Sequence, residues 1–293
     1  MAGCSGGSDY VGSSGSGSSS GSSNDTSGVL TDGALTDGRI KVVASTTGSA
    51  GTVAMTKATT ADIVLDASAL YNGNSLAEAF SKIPQAGTDT YTITLAPGTY
   101  NVTGLTYKGT NTIKIVGTGT ATYGTDVLIY GQGSDMTQEA TRSTLSFQGA
   151  CNIILENLAI QNSYGTTEGT AQSEALGISN TAFSGTLAAY NCAFLSGQDT
   201  ICTEGKAWFY KCYVEGDVDF LWIESHTGKV ALYEECILRA IGTRTTTAYF
   251  TAPRLAVANT VGKGVVIWNS TLQAEDGLKN VYLGRNPVGQ GNR

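Results

Sequence analysis

The sequence predicts an all-β solenoid, a fold in which short strands coil around one axis and successive coils stack. The composition is β-rich, because glycine is abundant at 38 residues, proline is scarce at 4, and charged residues make up only 14% of the chain. Apolar residues alternate with a period of two in short runs bounded by Gly, Asn or Pro, which is typical of strands. Several runs also resemble one another at intervals that fall in the range of solenoid repeats, which indicates stacked coils.

The charge and the residue inventory exclude several classes of function. A net charge of -7 and a pI near 4.7 argue against a basic surface for nucleic acid. Because His226 is the single histidine, a multi-histidine metal site is excluded and any Ser-His pair must use that residue. No apolar stretch approaches the roughly 20 residues that cross a bilayer as a helix.

Six cysteines are present, and none forms a CxxC pair of the kind that binds zinc or exchanges disulfides. Three of them, Cys192, Cys212 and Cys236, occupy matching positions in successive runs. We predict that these three are free thiols stacked as small buried hydrophobes, because free cysteine packs well in cores. Disulfide bonds are the alternative.

The chain begins Met1-Ala2-Gly3-Cys4 and continues as a Gly/Ser tract to about Gly28. Such a tract has nothing apolar to bury, so we expect residues 1–28 to be a flexible tether. The Ala-Gly-Cys sequence resembles the cut end of a bacterial lipoprotein signal. This resemblance predicts a lipid on Cys4, membrane contact through that lipid, and a protein that is secreted or anchored in the outer membrane, facing the cell surface. A chance cysteine in a linker is the alternative, and a diacylglyceryl group on Cys4 in protein expressed from the full gene would decide.

Residues 29–61 are rich in Thr, Gly and Ala, with an apolar run at residues 40–44. They fit either an extra strand pair or an extension of the tether. From residue 62 the sequence shows clearer patterns of helix and strand, so we assign 62–293 to the solenoid domain. Residues 74–80 predict a short helix with Asn74 or Ser75 as N-cap. A helix here would cover the open end of the solenoid, which otherwise exposes unpaired backbone groups.

Five runs align as repeats, and their first residues are Asn157, Asn191, Lys211, Glu235 and Asn269. The unequal intervals between these starts indicate coils of similar course with loops of different length between them. Further strands are predicted within residues 91–100, 111–119 and 125–133, where apolar residues alternate. The competing fold is a β-sandwich, which predicts no register between successive runs.

Two acidic residues, Asp199 and Asp219, occupy the same place in neighbouring repeats, each eight residues after the start of its run. Adjacent parallel strands lie about 4.8 Å apart, so stacked repeats would make the two carboxylates neighbours. When two carboxylates lie so close together, their like charges separate their pKa values. One carboxylate then stays ionised and the other stays protonated. Such a pair supplies a nucleophile and a general acid without histidine. The alternative is that both aspartates merely cap backbone amides at turns.

Several motifs, in the same order along the chain, resemble those of the pectin methylesterase family of carbohydrate esterases. The matching segments are NLAIQNSYG at 157–165, AQSEAL at 171–176, GQDT at 197–200, GDVDF at 216–220, FTAPR at 250–254 and LGR at 283–285. The resemblance covers about residues 62–293. It implies a right-handed parallel β-helix with its site in a groove along one face. It also implies a monomer that acts on methyl-esterified pectin without a cofactor or metal.

The resemblance implies a role for each matching residue. Asp219 would be the nucleophile that attacks the C6 carbonyl of a methyl-esterified galacturonate. Asp199 would protonate the departing methanol and then activate water to hydrolyse the acyl-enzyme. Gln172 and Gln198 would donate side-chain N–H groups to the tetrahedral oxyanion. Arg285 would hold Asp219 in its ionised form.

Two aromatic residues are expected to contact the sugar. Phe220 matches an aromatic residue that lines the groove in the family, with core packing as the alternative. Trp222 stands where the family usually has phenylalanine and could stack on a sugar ring. His226 is expected to be a loop residue, because the chemistry of the family requires no histidine.

The chain departs from the family pattern near its last motif. Arg285 is followed by Asn286-Pro287 instead of Pro-Trp, so an aromatic residue that would contact substrate is absent. GQDT continues as Ile201-Cys202 without a tyrosine, and the segment after Phe220 lacks a glycine. The chain stops eight residues after Arg285, which by comparison with the family predicts a C-terminal truncation, an exposed coil edge and lower stability.

The resemblance, together with the aspartate pair, implies an enzyme that removes methyl esters from pectin. Two alternatives stay open. One keeps the aspartate pair and acts on another ester or a thioester, and the other is a non-catalytic solenoid that binds polysaccharide. A shared β-helix fold does not decide among them, because one fold hosts many functions.

Overall fold

The structure is a computed structural model that describes residues 40, 42, 44, 48–58, 66–134, 142–164, 172–178, 184–225, 229–242, 246–255 and 264–285. At 66–69, 224–225 and 254–255 it describes the backbone alone. The predicted tether at 1–28, the lipidation site Cys4, His226 and the segment from Asn286 lie outside the described residues. The predictions for these parts of the chain stay predictions.

Twenty-three strands form three sheets in the described residues. The first sheet contains, in spatial order, β2 (Asp66–Gly73), β1 (Val53–Ala58), β3 (Thr90–Leu95), β6 (Thr112–Gly117), β9 (Ile153–Glu156), β12 (Thr186–Tyr190), β15 (Lys206–Tyr210), β18 (Val230–Glu234) and β21 (Gly264–Trp268). The second contains β4 (Gly98–Asn101), β7 (Val127–Gly131), β10 (Ala159–Asn162), β13 (Ala193–Leu195), β16 (Tyr213–Gly216), β19 (Ile237–Ala240) and β22 (Thr271–Ala274). The third contains β5 (Leu105–Tyr107), β8 (Leu145–Phe147), β11 (Leu176–Ile178), β14 (Ile201–Thr203), β17 (Leu221–Ser225), β20 (Thr247–Leu255) and β23 (Asn280–Gly284).

From β3 onward the chain visits the three sheets in turn, so each coil contributes one strand to each sheet. The first coil is β3–β4–β5 and the seventh is β21–β22–β23. Neighbouring strands of successive coils are parallel throughout. The fold is therefore a right-handed parallel β-helix, and the prediction of an all-β solenoid is confirmed.

The strand register reproduces the repeats read from the sequence. In the second sheet, Ala159 pairs with Ala193, Ala193 with Tyr213, Tyr213 with Ile237, and Ile237 with Thr271. Each of these residues stands two places after the first residue of its run, so the runs aligned by sequence are the runs that pair in space. A fixed register between successive runs excludes the β-sandwich alternative.

The first residue of each repeat turns the chain from the first sheet to the second. All five of these residues have left-handed backbone conformations, with φ between 48 and 54°; they are Asn157, Asn191, Lys211, Glu235 and Asn269. Asparagine tolerates this conformation better than most residues, which explains why three of the five are asparagine. The Asn191 side chain donates a hydrogen bond to Asn157 Oδ1 at 2.9 Å, so the turns are also linked laterally.

The interior is a continuous apolar core built from the alternate residues that point inward. The thiols Cys192, Cys212 and Cys236 are free and buried in it at matching places of successive coils, which confirms the predicted ladder. Aromatic rings stack in the same way: the ring centroids of Phe209 and Tyr233 are 4.6 Å apart and the rings are nearly parallel. Stacking like residues on like residues keeps the width of the core constant from coil to coil.

The N-terminal end of the core is covered by a helix, as predicted. Helix α1 (Leu76–Ser81) begins after Ser75, whose Oγ accepts a hydrogen bond from the Glu78 amide at 3.2 Å. Its Leu76 and Phe80 side chains are buried in the main core. Thr122–Gly124 form a short 3-10 turn. No helix among the described residues has the length and apolar character needed to cross a membrane.

Part of residues 29–61 belongs to the same folded unit as the coils. Strand β1 lies between β2 and β3 and runs antiparallel to both, so the first sheet continues across the boundary expected at residue 62. Within this range the structure describes one strand, β1, and its two partners lie after residue 61. Further upstream, Ile40, Val42 and Ala44 are buried against side chains of the second sheet.

Candidate active site

The residues singled out by the sequence converge on the turns between the second and third sheets. Gln172 precedes β11 in the third coil, Asp199 lies between β13 and β14 in the fourth, and Asp219 lies between β16 and β17 in the fifth. Arg285 follows β23 in the seventh coil. One face of the β-helix thus carries these four residues in the order of its coils.

The turns that carry the two aspartates are bonded to each other in register. The Asp199 amide donates to the Val218 carbonyl at 3.0 Å, and the Asp217 amide donates to the Gly197 carbonyl at 3.0 Å. Asp199 and Asp219 share a left-handed conformation, with φ of 59 and 55°. This backbone geometry places the residues Asp199 and Asp219 at equivalent positions of neighbouring coils, as the repeats predict.

Gly216 allows the turns of the fourth and fifth coils to approach this closely. A Cβ atom at this position would collide with the Phe220 Cβ and lie 2.6 Å from the Gly197 carbonyl oxygen. Any larger residue would force the two turns apart and move Asp219 relative to Asp199. Close packing of the two turns therefore explains the glycine of the GDVDF motif.

Asp219 is held by Arg285. The Arg285 Nε lies 2.8 Å from Oδ1 and 3.0 Å from Oδ2 of Asp219, and its Nη2 donates to Oδ2 as well. The Arg285 backbone amide donates to the Thr251 carbonyl at 3.0 Å, which fixes where the side chain begins. The hydrogen bonds to Asp219 raise the pKa of the guanidinium above its usual value. Charge-assisted hydrogen bonds of this kind favour an ionised Asp219.

Asp199 has a different environment. It is only 2% exposed. Burial, the neighbouring Asp219 carboxylate and Glu174 together raise its pKa well above the usual range for aspartate, while Arg142 and Gln172 oppose that rise. A buried carboxyl beside two other carboxylates retains its proton because the charged form is poorly solvated and repelled. The pair therefore combines one carboxylate held ionised with one carboxyl held protonated.

Gln172 contacts the acid directly. Its Nε2 donates to Asp199 Oδ2 at 2.6 Å, and its Oε1 accepts from Arg142 Nη1 at 3.0 Å. Arg142 also faces the Glu174 carboxylate, with Nε 2.8 Å from Oε1. Gln198 precedes Asp199 on the same turn with a partly exposed side chain. The structure therefore brings all the predicted hydrolytic residues to one place and adds Arg142 and Glu174.

Comparison with known proteins identifies the family of the chain. The family described as Pectinesterase matches residues 62–287. The chain belongs to the pectinesterase family. Pectinesterase 31 of Arabidopsis thaliana is 27% identical over 190 residues, which is 55% of this chain and 50% of that protein. Probable pectinesterase 49 of the same plant is 29% identical over 166 residues, covering 56% of this chain and 43% of that protein. The chain thus spans about half the length of the curated pectinesterases that it matches.

Solved pectin methylesterases share the fold. The enzyme from Aspergillus niger superposes with a TM-score of 0.58 at 25% identity, over 75% of this chain and 70% of that one. The enzyme from carrot gives a TM-score of 0.59 at 22% identity, over 75% of this chain and 67% of that one. The chain is therefore similar to both in the course of its coils.

The two aromatic residues expected to contact sugar, Phe220 and Trp222, are both buried in the structure. Phe220 is fully buried in the main core, with its ring centroid 4.9 Å from that of Phe250, so the core-packing alternative applies. Trp222 is only 2% exposed and packs with Cys202 and Ala252 in a small separate cluster. Neither ring offers an open face to a polysaccharide.

The sequence did not indicate the stacked pair Tyr249 and Tyr282, which lies beside Arg285, the partner of Asp219. Tyr249 and Tyr282 stack with ring centroids 5.1 Å apart, and Arg285 Cζ lies 5.2 Å from the centre of the Tyr249 ring. Tyr282 is 48% exposed. The register of β17, β20 and β23 places both tyrosines in line with Asp219, but that register depends on the lengths of loops that the sequence does not specify.

The ion pair of Arg142 and Glu174 was also missed. Glu174 carried a signal, because an acidic residue stands in QSEAL where the QAVAL-type motif has an apolar one. Arg142 carried none, since it lies on the preceding coil, far upstream of Glu174 in the sequence. A contact between coils becomes visible only when the register of those coils is known.

Proposed function

We propose that this protein is a carboxylic ester hydrolase that removes methyl esters from the C6 carboxyl groups of galacturonate in pectin and releases methanol. The observation that carries the proposal is the unequal environment of two aspartates at one place in adjacent coils. Arg285 favours the ionised form of Asp219, which suits a nucleophile. Burial and neighbouring charge favour the protonated form of Asp199, which suits a general acid.

In the first half of the proposed reaction, an Asp219 carboxylate oxygen attacks the ester carbonyl carbon. The carbonyl oxygen becomes an oxyanion, and side-chain N–H groups of Gln198 and Gln172 stabilise it, each such donor being worth roughly 3 kcal/mol. As the tetrahedral intermediate collapses, the bond to the methoxy oxygen breaks and Asp199 gives its proton to that oxygen. Methanol leaves, and the galacturonate acyl group remains on Asp219 as a mixed anhydride.

In the second half, Asp199 is a carboxylate and acts as the general base. It takes a proton from a water molecule, whose oxygen attacks the acyl carbon. Collapse of this second intermediate breaks the bond to Asp219, frees the galacturonic acid carboxyl, which gives its proton to solvent, and leaves Asp199 protonated again. The pair therefore returns to its starting state, with Arg285 still on Asp219.

The stacked Tyr249 and Tyr282 supply the aromatic surface beside the nucleophile in this proposal. They lie next to the Asp219–Arg285 pair and leave Tyr282 about half exposed. Aromatic rings suit the apolar faces of sugars, because ring and sugar C–H groups can be buried together. One pectin methylesterase of similar fold was solved in complex with a hexasaccharide, with a TM-score of 0.57, 20% identity and coverage of 73% of this chain and 66% of that one. That complex supports an extended sugar-binding groove here.

The test is methanol release from highly methyl-esterified pectin. Asp219→Asn should reduce kcat by roughly 10⁴-fold or more, because it removes the nucleophile. Asp89→Asn is the matched control: Asp89 forms a partly exposed ion pair with Lys57 at 2.9 Å near the N-terminal end, and its loss should leave turnover unchanged. Equal methanol release by the wild type and Asp219→Asn would contradict the mechanism.

A second candidate keeps the same chemistry and changes the ester. It is favoured by the replacement of Pro-Trp after Arg285 and by the burial of Phe220 and Trp222, which together alter the sugar contacts. Hydrolysis of small esters or thioesters without any action on pectin would select it. Pectin binding that survives Asp199→Asn, with no turnover of any ester, would instead select a polysaccharide-binding solenoid.

The proposed substrate also indicates in which compartment the protein works. Pectin is a polymer too large to cross a membrane, so we infer that the protein works outside the cytoplasm, either secreted or held at the cell surface by a lipid on Cys4. The Ala-Gly-Cys sequence and the following Gly/Ser tract support such an anchor. Mass spectrometry of the Cys4 peptide tests it, and an unmodified thiol in protein from the full gene would rule the anchor out.

A further inference from the structure

A chain of polar contacts runs from the second coil of the β-helix to the proposed general acid. Arg142 lies in the second coil and faces Glu174 of the third, with Nε 2.8 Å from Oε1 and 3.0 Å from Oε2. Its Nη1 donates to Gln172 Oε1 at 3.0 Å, and Gln172 Nε2 donates to Asp199 Oδ2 at 2.6 Å. The four side chains therefore form one connected network on the N-terminal side of Asp199.

The network is buried and held from its backbone. The side chain of Arg142 is 6% exposed and that of Glu174 is fully buried. The Asn162 side-chain amide lies 2.8 Å from the Arg142 carbonyl and 3.1 Å from the Glu174 carbonyl, which ties the two turns together. Ser143 Oγ adds a hydrogen bond to Glu174 Oε2 at 3.1 Å. Buried groups bound this closely have little freedom to change partners.

The donors and acceptors of the network determine how Gln172 points. An arginine side chain has donors only, so the atom of the Gln172 amide that faces Arg142 must be its oxygen. The amide nitrogen must then face Asp199 and donate a hydrogen bond to its Oδ2. A protonated Asp199 consequently carries its proton on Oδ1. Without Arg142 the amide could flip, and Gln172 would then accept a hydrogen bond from the acid instead of donating to it.

The charges of the network balance. An isolated buried Arg142 beside Asp199 would favour the carboxylate form of the acid, and Glu174 offsets that effect. Among the described residues, the charged groups that act on Asp199 are Asp219 and Arg285 on its C-terminal side and Glu174 and Arg142 on its N-terminal side. The acid is thus placed between two ion pairs, each of one carboxylate and one guanidinium.

We propose that Arg142 and Glu174 are positioning residues, which together orient the Gln172 amide and keep Asp199 protonated with its proton on the oxygen that faces away from Gln172. This role deepens the proposed ester hydrolysis and rests on it for its catalytic meaning. Neither residue touches the reacting atoms in that scheme. A purely structural ion pair is the competing account, and it predicts effects on stability alone.

The test uses three variants of the full chain: Glu174→Gln, Arg142→Gln and the neutral double variant. Titration of 13C-labelled aspartate carboxyls by NMR reports the protonation of Asp199 without any substrate, and Asp199→Asn assigns the signal. Glu174→Gln removes a negative charge and leaves Arg142, so the titration midpoint of Asp199 should move to lower pH. Arg142→Gln should move it to higher pH, and the double variant should lie between the two.

The pH dependence of activity should shift in the same direction as the titration midpoint of Asp199. The first half-reaction needs protonated Asp199, so the basic limb of the kcat/KM profile should move to lower pH in Glu174→Gln. Arg142→Gln and the double variant should also lose on the order of 10²-fold in kcat, because the Gln172 amide is no longer held in place. The double variant leaves no buried charge unpaired, so it keeps the test valid if a single variant does not fold.

The matched control is Glu156→Gln. It removes the carboxylate of a half-exposed ion pair, in which Glu156 Oε2 lies 3.0 Å from Lys114 Nζ on the outer face of the first sheet. Neither the Asp199 titration nor the pH profile should change. A titration midpoint that stays at the wild-type pH in the folded variants, with lowered thermal stability, would overturn the positioning role. If the wild type releases no methanol but the midpoints shift as described, the proposed function fails and the positioning role stands.

Discussion

Asp199 and Asp219 share a residue type, a left-handed backbone and a place in the repeat, and they differ only in their partners. The partner of Asp219 is a guanidinium that neutralises its charge. The carboxyl of Asp199 is buried against other carboxylates, which raises its pKa. Two positions with matching backbones therefore have opposite consequences for the folded state when they ionise.

We predict that Asp199→Asn stabilises the protein at neutral pH. A carboxyl whose pKa is higher folded than unfolded contributes stability below its unfolded pKa of about 3.9, and this contribution is lost as the pH rises through the folded pKa. Asparagine keeps the neutral form at every pH and tolerates the left-handed backbone. The melting temperature of Asp199→Asn should therefore exceed that of the wild type at pH 7, and the gain should vanish near pH 3 to 4, with about 2–4 °C expected per kcal/mol.

Asp219→Asn is the internal control for this prediction. The same substitution on the same backbone conformation removes the hydrogen-bonded ion pair with Arg285, so it should lower the melting temperature at pH 7. Thermal unfolding followed by circular dichroism across pH 3 to 8 measures both variants. A gain for Asp199→Asn that is as large at pH 3 as at pH 7 would show that ionisation is not its cause.

At the residue scale, the sequence identified the groups that belong to contiguous motifs. Asp199, Asp219, Gln172 and Arg285 could be placed because each lies in a recognisable segment. The direction of Phe220 could not be placed, because a strand following an irregular turn has no fixed phase until the turn is known. The role of Arg142 could not be predicted for another reason. Its partners lie on the next coil, and the sequence does not specify the path of the loop between them.

The turns from the first to the second sheet form an element of their own, a column of left-handed residues along the β-helix. Asparagine at 157 and 191 bonds side chain to side chain, whereas Lys211 takes the same conformation, with φ of 52°, without that bond. The ion pair of Lys211 Nζ with Glu235 Oε2 is long, at 3.7 Å, and exposed, so it contributes little. This column explains why the first residue of each run was such a reliable repeat marker.

We predict that Lys211→Asn raises the melting temperature by about 2–4 °C. Asparagine largely avoids the steric cost that the left-handed conformation imposes on other side chains, and it could extend the bonded pair of Asn157 and Asn191. Lys206→Asn is the matched control, since Lys206 is exposed in the extended strand β15, where asparagine is unfavourable. Differential scanning calorimetry compares the two, and an equal shift in both variants would argue against the backbone explanation.

The element most poorly predicted is β1. The sequence of residues 53–58 alternates like the other strands, but nothing in it indicates that the strand runs antiparallel to its neighbours. Direction depends on how the chain enters the sheet from upstream. The coils could be predicted because each sequence repeat follows the same path through the three sheets. Strand β1 has no equivalent in those repeats.

At the scale of the whole molecule, a β-helix is a linear stack in which each coil contacts mainly its neighbours. The capping helix α1 lies before the first coil, and the proposed acid lies in the fourth. Stability in such a stack is close to a sum of neighbouring contacts, so damage at one end should weaken folding without distorting a distant coil. The core offers a matched pair of residues for this comparison, Phe80 in α1 and Phe194 in β13.

We predict that Phe80→Leu and Phe194→Leu lower stability alike and affect activity differently. Each change should cost roughly 1 kcal/mol, because a buried ring is exchanged for a smaller apolar group. Phe194 lies in the coil of Asp199 and packs edge-to-face on Phe209 of the next coil, with ring centroids 5.5 Å apart. Its loss should shift the two aspartate turns relative to each other and lower kcat/KM by roughly tenfold, since small misplacements of reacting groups are costly.

Phe80→Leu should leave kcat/KM at the wild-type value when both are measured well below the melting temperature. Helix α1, which carries Phe80, packs against β1, and the coils between it and Asp199 have their own strand register. Methanol release and thermal unfolding on the same preparations provide the two readouts. A tenfold loss of kcat/KM in Phe80→Leu would mean that strain passes along the whole stack, and the linear description of this β-helix would then have to give way to one in which its coils respond as a single unit.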